Sequence, residues 1–134
     1  MKRRACLKTM LAGAALRAPL DVAGAPVKGQ KAILLHVDLS VDPAKETEML
    51  DNFHRIFRPA AEKHPGYIDV KMLKLRLALQ GDVPEDVNYR FALYYESEEL
   101  RQKWVASDDH KRVWPTIEKT LKSKNYRVLL FDVA

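Results

Sequence analysis

The sequence predicts an α+β fold, a four-stranded antiparallel sheet with helices on one face, and three observations carry that prediction. In residues 31–41, Ile33, Leu35, Val37, Leu39 and Val41 alternate with Leu34, His36, Asp38 and Ser40, the period-two signature of a strand. Leu50, Phe53, Phe57 and Ala60 then recur at spacings of three and four, which puts them on one face of a helix. The remaining apolar runs fall so that the complete order is βαββαβ, with no repeat, linker or low-complexity tract.

Each element has its own local signals. The first helix begins at Asp42-Pro43, Asp42 as cap and Pro43 in the first turn, and Pro59 is expected to kink or end it before the stop at His64-Pro65-Gly66. A long second strand, Tyr67 to Leu79, and a third, Val87 to Tyr95, flank a loop from Gln80 to Asp86 that contains Gly81 and Pro84, forming a hairpin. Ser97 is an N-cap candidate, and Glu98 and Glu99 suit the positive end of the helix that follows. This helix carries Leu100 and Trp104, meets a polar break at Ser107-Asp108-Asp109, and continues through Val113, Trp114, Ile117 and Leu121, with Pro115 expected to divide the continuation. Tyr126 to Val133 is the fourth strand.

The order βαββαβ is the ferredoxin-like split motif, whose right-handed crossovers place both helices on the same side of one sheet. Strands covered on that side alone should alternate cleanly. Yet Ala92 and Tyr94 oppose Phe91, Leu93 and Tyr95, and Val128 to Phe131 is apolar without a break. The second face therefore needs a cover, and a second copy of the same face supplies it most simply, giving a homodimeric α/β barrel.

The chain has 134 residues, 47% hydrophobic and 31% charged, which is one globular domain. Its net charge of +5 is concentrated at the start, where Lys2, Arg3, Arg4, Lys8 and Arg17 face a single acid, Asp21, leaving a domain of 26–134 near neutrality. No basic run remains to bind a nucleic-acid backbone. Residues 1–25 resemble a twin-arginine export signal: Lys2-Arg3-Arg4-Ala5-Cys6-Leu7-Lys8 is followed by the mildly apolar Met10 to Leu16 and by Ala23-Gly24-Ala25 as a cleavage site. The implied destination is periplasmic or extracellular; a leader that is never processed is the other reading. The one cysteine, Cys6, lies in that leader, so the domain has no disulfide and no thiol nucleophile. No stretch reaches membrane-spanning length.

The segment Tyr94 to Trp114, with its turn Glu96-Ser97-Glu98-Glu99-Leu100 and with Ser107 three residues beyond Trp104, resembles the antibiotic biosynthesis monooxygenase family of dimeric α/β barrels. The resemblance spans about residues 31–133. It implies a cofactor-independent monooxygenase that oxidises a small aromatic or quinol substrate with molecular oxygen, in a pocket roofed by this helix. Trp104 and His110 are the implied catalytic positions, with Phe53, Phe57, Tyr94, Tyr95 and Trp114 as substrate-binding walls. Many family members have His-Phe after the Trp element, whereas here Asp109 and His110 stand at those places. By itself Trp104 reads first as a core tryptophan.

Two other readings stay open. One is a non-enzymatic dimeric ligand-binding or stress-related module on the same scaffold. The other is the heme-degrading branch of the family, whose strand Asn would fall near Val37 and whose axial His would fall on Trp114, leaving His110 one turn before it. A void beside a His or Tyr favours an enzyme, and a cleft filled by Trp104, Trp114 and Phe57 favours the module. No metal site is expected, since H-x-H and H-E-x-x-H spacings are absent. His36 and Asp38 read as an interface pair, His54 and His64 as solvated. No Gly-rich phosphate loop or G-x-S-x-G occurs.

Overall fold

The computed structural model describes residues 31–134, so the export-signal reading lies outside the described residues. Strand β1 (Ile33–Leu39) leads through a 3₁₀ turn, Pro43–Lys45, into α1 (Glu46–Asn52), a π-helical turn (Phe53–Phe57) and α2 (Arg58–Ala61). Then come β2 (Tyr67–Lys74), β3 (Tyr89–Tyr95), α3 (Glu98–Ala106), α4 (Asp108–Glu118) and β4 (Arg127–Asp132). The strands form one antiparallel sheet in the order β2-β3-β1-β4, the ferredoxin-like topology.

Register fixes the two faces. Val37 lies opposite Phe91 and Val128, and Leu35 opposite Leu93 and Leu130, so these side chains share the face under the helices. Phe91 and Leu93 are buried there against Phe53, Phe57, Trp104, Val113 and Ile117. His36 lies opposite Ala92 and Leu129, and Leu34 opposite Tyr94 and Phe131, so the outer face carries these instead.

Several boundaries differ from the sequence reading, each for a local reason. The second strand ends at Lys74 rather than Leu79, because its last sheet bond is Leu75 N–H to the Asn88 carbonyl at 2.9 Å. Asn88, just before β3, bonds through its backbone to Leu39 and Leu75, and its side chain donates to the Val41 carbonyl and accepts from the Val41 N–H, both at 2.8 Å. The helical segment does not end at Pro59 but runs on to Ala61; Pro59 follows directly on the wider π turn, which closes with Arg58 N–H to the Phe53 carbonyl. Pro115 does not divide α4. Loss of its N–H and its ring clash would cost about 3 kcal/mol in a helix interior, but Lys111, whose carbonyl loses the bond, is exposed, while neighbouring Val113 and Ile117 are fully buried.

The division falls at Ser107 instead. Its hydroxyl donates to the Trp104 carbonyl at 2.6 Å, ending α3, and accepts from the His110 N–H at 3.2 Å, capping α4. Gly66, at φ +92°, makes the turn into β2, and a Cβ there would lie 2.7 Å from Leu100.

Candidate functional site

The helices cover β2, β3 and β1 but stop short of β4, whose helix-side residues Val128 and Leu130 remain 51% and 47% exposed. That gap opens a cavity of about 210 Å³ between α3, α4 and the sheet. Leu35, Val37, Phe91, Leu93 and Val128 form its floor, and Phe57, Trp104, Val105, His110, Trp114 and Tyr126 its walls. Ser107 sets the roof, because Trp104 in the last turn of α3 and His110, third in α4, are tied to one hydroxyl. His110 consequently stands with its ring edge-on to Trp104 at 5.2 Å and nearly parallel to Trp114 at 6.4 Å.

Two polar groups reach this otherwise apolar space. Burial, and secondarily the Arg101 guanidinium, holds the His110 imidazole below its ordinary pKa. A neutral imidazole near neutral pH is a proton acceptor. Tyr126 is committed differently: its hydroxyl accepts from Trp114 Nε1 at 3.1 Å and donates to Glu118 Oε2 at 2.8 Å. Burial first, and Glu118 second, push its phenol above the usual tyrosine pKa.

The sequence-derived residues separate into three groups. Phe57, Trp104, His110 and Trp114 meet at the cavity. Phe53 lies behind it, stacked on Phe57 at 6.2 Å within the core. Tyr94 belongs to the outer face, so the helix-side cavity is beyond its reach. Tyr95 faces the helices and is completely buried away from the cavity; its hydroxyl has no hydrogen-bond partner among the described residues, and burial raises its pKa.

Sequence reasoning missed Tyr126, although its phase with Val128 was readable once the last strand was placed. His64 is not simply solvated: its Nε2 lies 2.9 Å from Asp109 Oδ2 and its ring packs 4.7 Å from Trp104. No local signal joins residues 45 positions apart. His36 and Asp38 do share the outer face, but no hydrogen bond joins them, because Asp38 is taken up by two arginines. His36 packs edge-on to Phe131 at 5.1 Å. Asp38 instead accepts from Arg90 and Arg127, each at 2.8 Å in its shorter contact. Burial by itself would raise this carboxyl, but the two guanidiniums outweigh it and hold the group below the ordinary range.

A larger cavity of about 640 Å³ lies at the end of the sheet, among Asp38, Ser40, Glu85, Asp86, Lys122 and Arg127. It is lined by mixed charges and loop residues, and Asp38 is already engaged by both arginines. The smaller one is the better chemical site, because it combines aromatic walls with an imidazole that has no bonded partner among the described residues. Among those residues, no group of three His, Cys, Asp or Glu side chains is placed to hold a metal. No described helix is long and apolar enough to cross a membrane.

Fold and cavity together define an aromatic-walled pocket on a ferredoxin-like sheet, and solved structures of the same architecture are numerous. A candidate antibiotic biosynthesis monooxygenase from Caulobacter crescentus CB15 is similar at TM-score 0.64 and 18% identity, covering 78% of this chain and 92% of that one. SnoaB, a cofactor-independent oxygenase from Streptomyces nogalater seen as a point mutant, is similar at TM-score 0.60 and 14% identity, covering 77% and 93%. A dimeric ferredoxin-like protein of unknown function from Jannaschia sp. CCS1 gives 0.59 and 15%, covering 77% and 98%. At such identities the likeness shows the fold. No family model matches the chain, and no curated protein matches its sequence.

Proposed function

We propose that the protein is a cofactor-independent monooxygenase acting on a small aromatic or quinol substrate with molecular oxygen. The observation that carries the reading is the cavity itself: a void walled by Phe57, Phe91, Trp104 and Trp114, with the His110 imidazole at its edge. A flat aromatic ring fits between such walls, and a bound phenol would give its proton to the neutral imidazole. The resulting anion is electron-rich and held among aromatic side chains, in a position to pass electrons to oxygen. A monooxygenase-like activity is also what the similarity to SnoaB and the Caulobacter protein suggests.

The same reading includes a homodimer joined through the outer sheet face, with Leu129 and Phe131 covered by a second copy, and export of the chain by its twin-arginine-like leader. Leu129 and Phe131 are 37% and 43% exposed in one copy, and a dimeric protein of this fold is among the structural neighbours.

Oxygen uptake by the purified protein with a panel of dihydroxyaromatics tests the chemistry. Uptake should rise with pH, its midpoint below the ordinary histidine range, because His110 must be neutral to accept the proton. Changing His110→Ala should remove that limb and slow turnover about 10²-fold or more, as loss of a general base does. If no member of the panel drives uptake above the uncatalysed rate while ligands still bind the cavity, the non-enzymatic binding module replaces this reading.

A further inference from the structure

Trp114, Tyr126 and Glu118 form a continuous hydrogen-bonded path from the cavity wall, which Trp114 and Tyr126 both line, to a carboxylate one turn further along the same face of α4. Trp114 is partly buried and lines the cavity, and its indole N–H donates to the Tyr126 hydroxyl at 3.1 Å, with ring centroids 6.0 Å apart. That hydroxyl donates in turn to Glu118 Oε2 at 2.8 Å. Glu118 is only half-buried, so a proton arriving there exchanges with water. A phenol is more easily oxidised when its proton has an acceptor already in place, since the electron and proton leave together and no charged phenol radical is formed. The arrangement therefore has three hydrogen-bonded parts: an indole and a phenol that meet at the cavity wall, and a proton acceptor beyond the phenol.

We propose that Trp114, Tyr126 and Glu118 are a hole-transfer relay that draws oxidising equivalents off the indole and places them on Tyr126, where a soluble reductant can discharge them, and so protects the tryptophan wall of the cavity. Physiologically its oxidant is an organic peroxyl radical generated in the cavity, the one point at which the inference rests on the oxygen chemistry proposed above. The peroxyl radical takes one electron from Trp114, and the peroxide anion formed takes a proton from solvent to become a hydroperoxide. The Trp114 radical cation is then refilled by one electron from Tyr126, whose hydroxyl proton moves to Glu118. What remains is neutral Trp114, a neutral Tyr126 phenoxyl radical and a protonated Glu118. A soluble one-electron reductant of the thiol or ascorbate class restores the phenol as Glu118 returns the proton. Burial and Glu118 keep the resting phenol protonated, which supports the sequence because the proton is still present to be transferred.

Tyr89 provides an internal comparison. It also donates to a carboxylate, that of Glu46, but it is 2% exposed and is not in contact with an indole. A tyrosine–carboxylate pair alone is therefore not the relay; the indole contact distinguishes Tyr126.

The full-length protein is photo-oxidised with tris-bipyridyl ruthenium and persulfate, frozen and examined by electron paramagnetic resonance, and its oxidised residues are located by peptide mass spectrometry. Wild type should show a tyrosyl radical with little modification of Trp114. Y126F should lose most of that tyrosyl signal and accumulate tryptophan oxidation products at Trp114. E118Q, which leaves the phenol without its proton acceptor, should move the pattern in the same direction, and Y89F should leave it unchanged. A tyrosyl signal undiminished in both Y126F and E118Q, or one lost in Y89F, overturns the relay. No organic substrate is present, so the result stands apart from whether the protein turns over phenols.

Discussion

The two faces of the sheet are built from the same strands and yet end in opposite conditions. Under the helices, Val37, Leu39, Phe91 and Leu93 are at most 4% exposed and make an entirely apolar layer. On the outer face, exposed Leu129 and Phe131 sit beside a charged triad in which Asp38 is held by Arg90 and Arg127. The two compositions suit different roles. The inner layer supplies hydrophobic stabilisation, which is non-directional and proportional to area. The outer face mixes apolar area with fixed charges, a composition suited to selecting one partner and one register.

The largest effect should come from breaking the inner layer. Phe91→Ala leaves Phe53, Phe57 and Trp114 without their shared neighbour. It should cost about 3–5 kcal/mol of unfolding free energy, read from the midpoint of urea denaturation. Next is Leu129→Asp, which adds a carboxylate to the outer face beside His36 and Ala92. Sedimentation should show this variant as a monomer and the wild type as a dimer, with monomer stability little changed. A wild type that sediments as a stable monomer removes the dimer. The smallest effect belongs to Asp38→Asn and is a change of pH dependence. Because the folded carboxyl titrates below its ordinary range, its stabilisation is complete above that range and is lost as pH falls through it toward the folded value. The Asn variant should therefore show a flatter acid limb in thermal unfolding.

The order and type of the elements were readable because they rest on short-range signals. Period-two alternation in β1, the Asp42 and Ser97 caps and the turn at Gly66 each act within a few residues. The doubly apolar sheet was visible for the same reason. Neither proline ends its helix, since whether a helix runs on through one depends on what surrounds it: a π turn before Pro59, and exposed backbone beside Pro115. Placement of the site was legible in part. Phe57 follows from helical phase, and Trp104, His110 and Trp114 from the segment that resembles the monooxygenase family, but Tyr94 and Tyr95 are adjacent and must face opposite ways, and only the register decides which. Tyr126 and His64 acquire their roles from partners on other elements, Trp114 and Glu118 for one, Asp109 and Trp104 for the other.

Ser107 makes the pocket tunable from outside. One extended residue with one hydroxyl sets both where α3 releases Trp104 and where α4 presents His110, although its own side chain does not line the cavity. A substitution there would rotate the two rings relative to each other while every wall residue kept its identity. In a lineage of such proteins, a wider or narrower pocket is therefore within reach of a single change that leaves every wall residue intact, and comparison of pocket residues alone would not detect it.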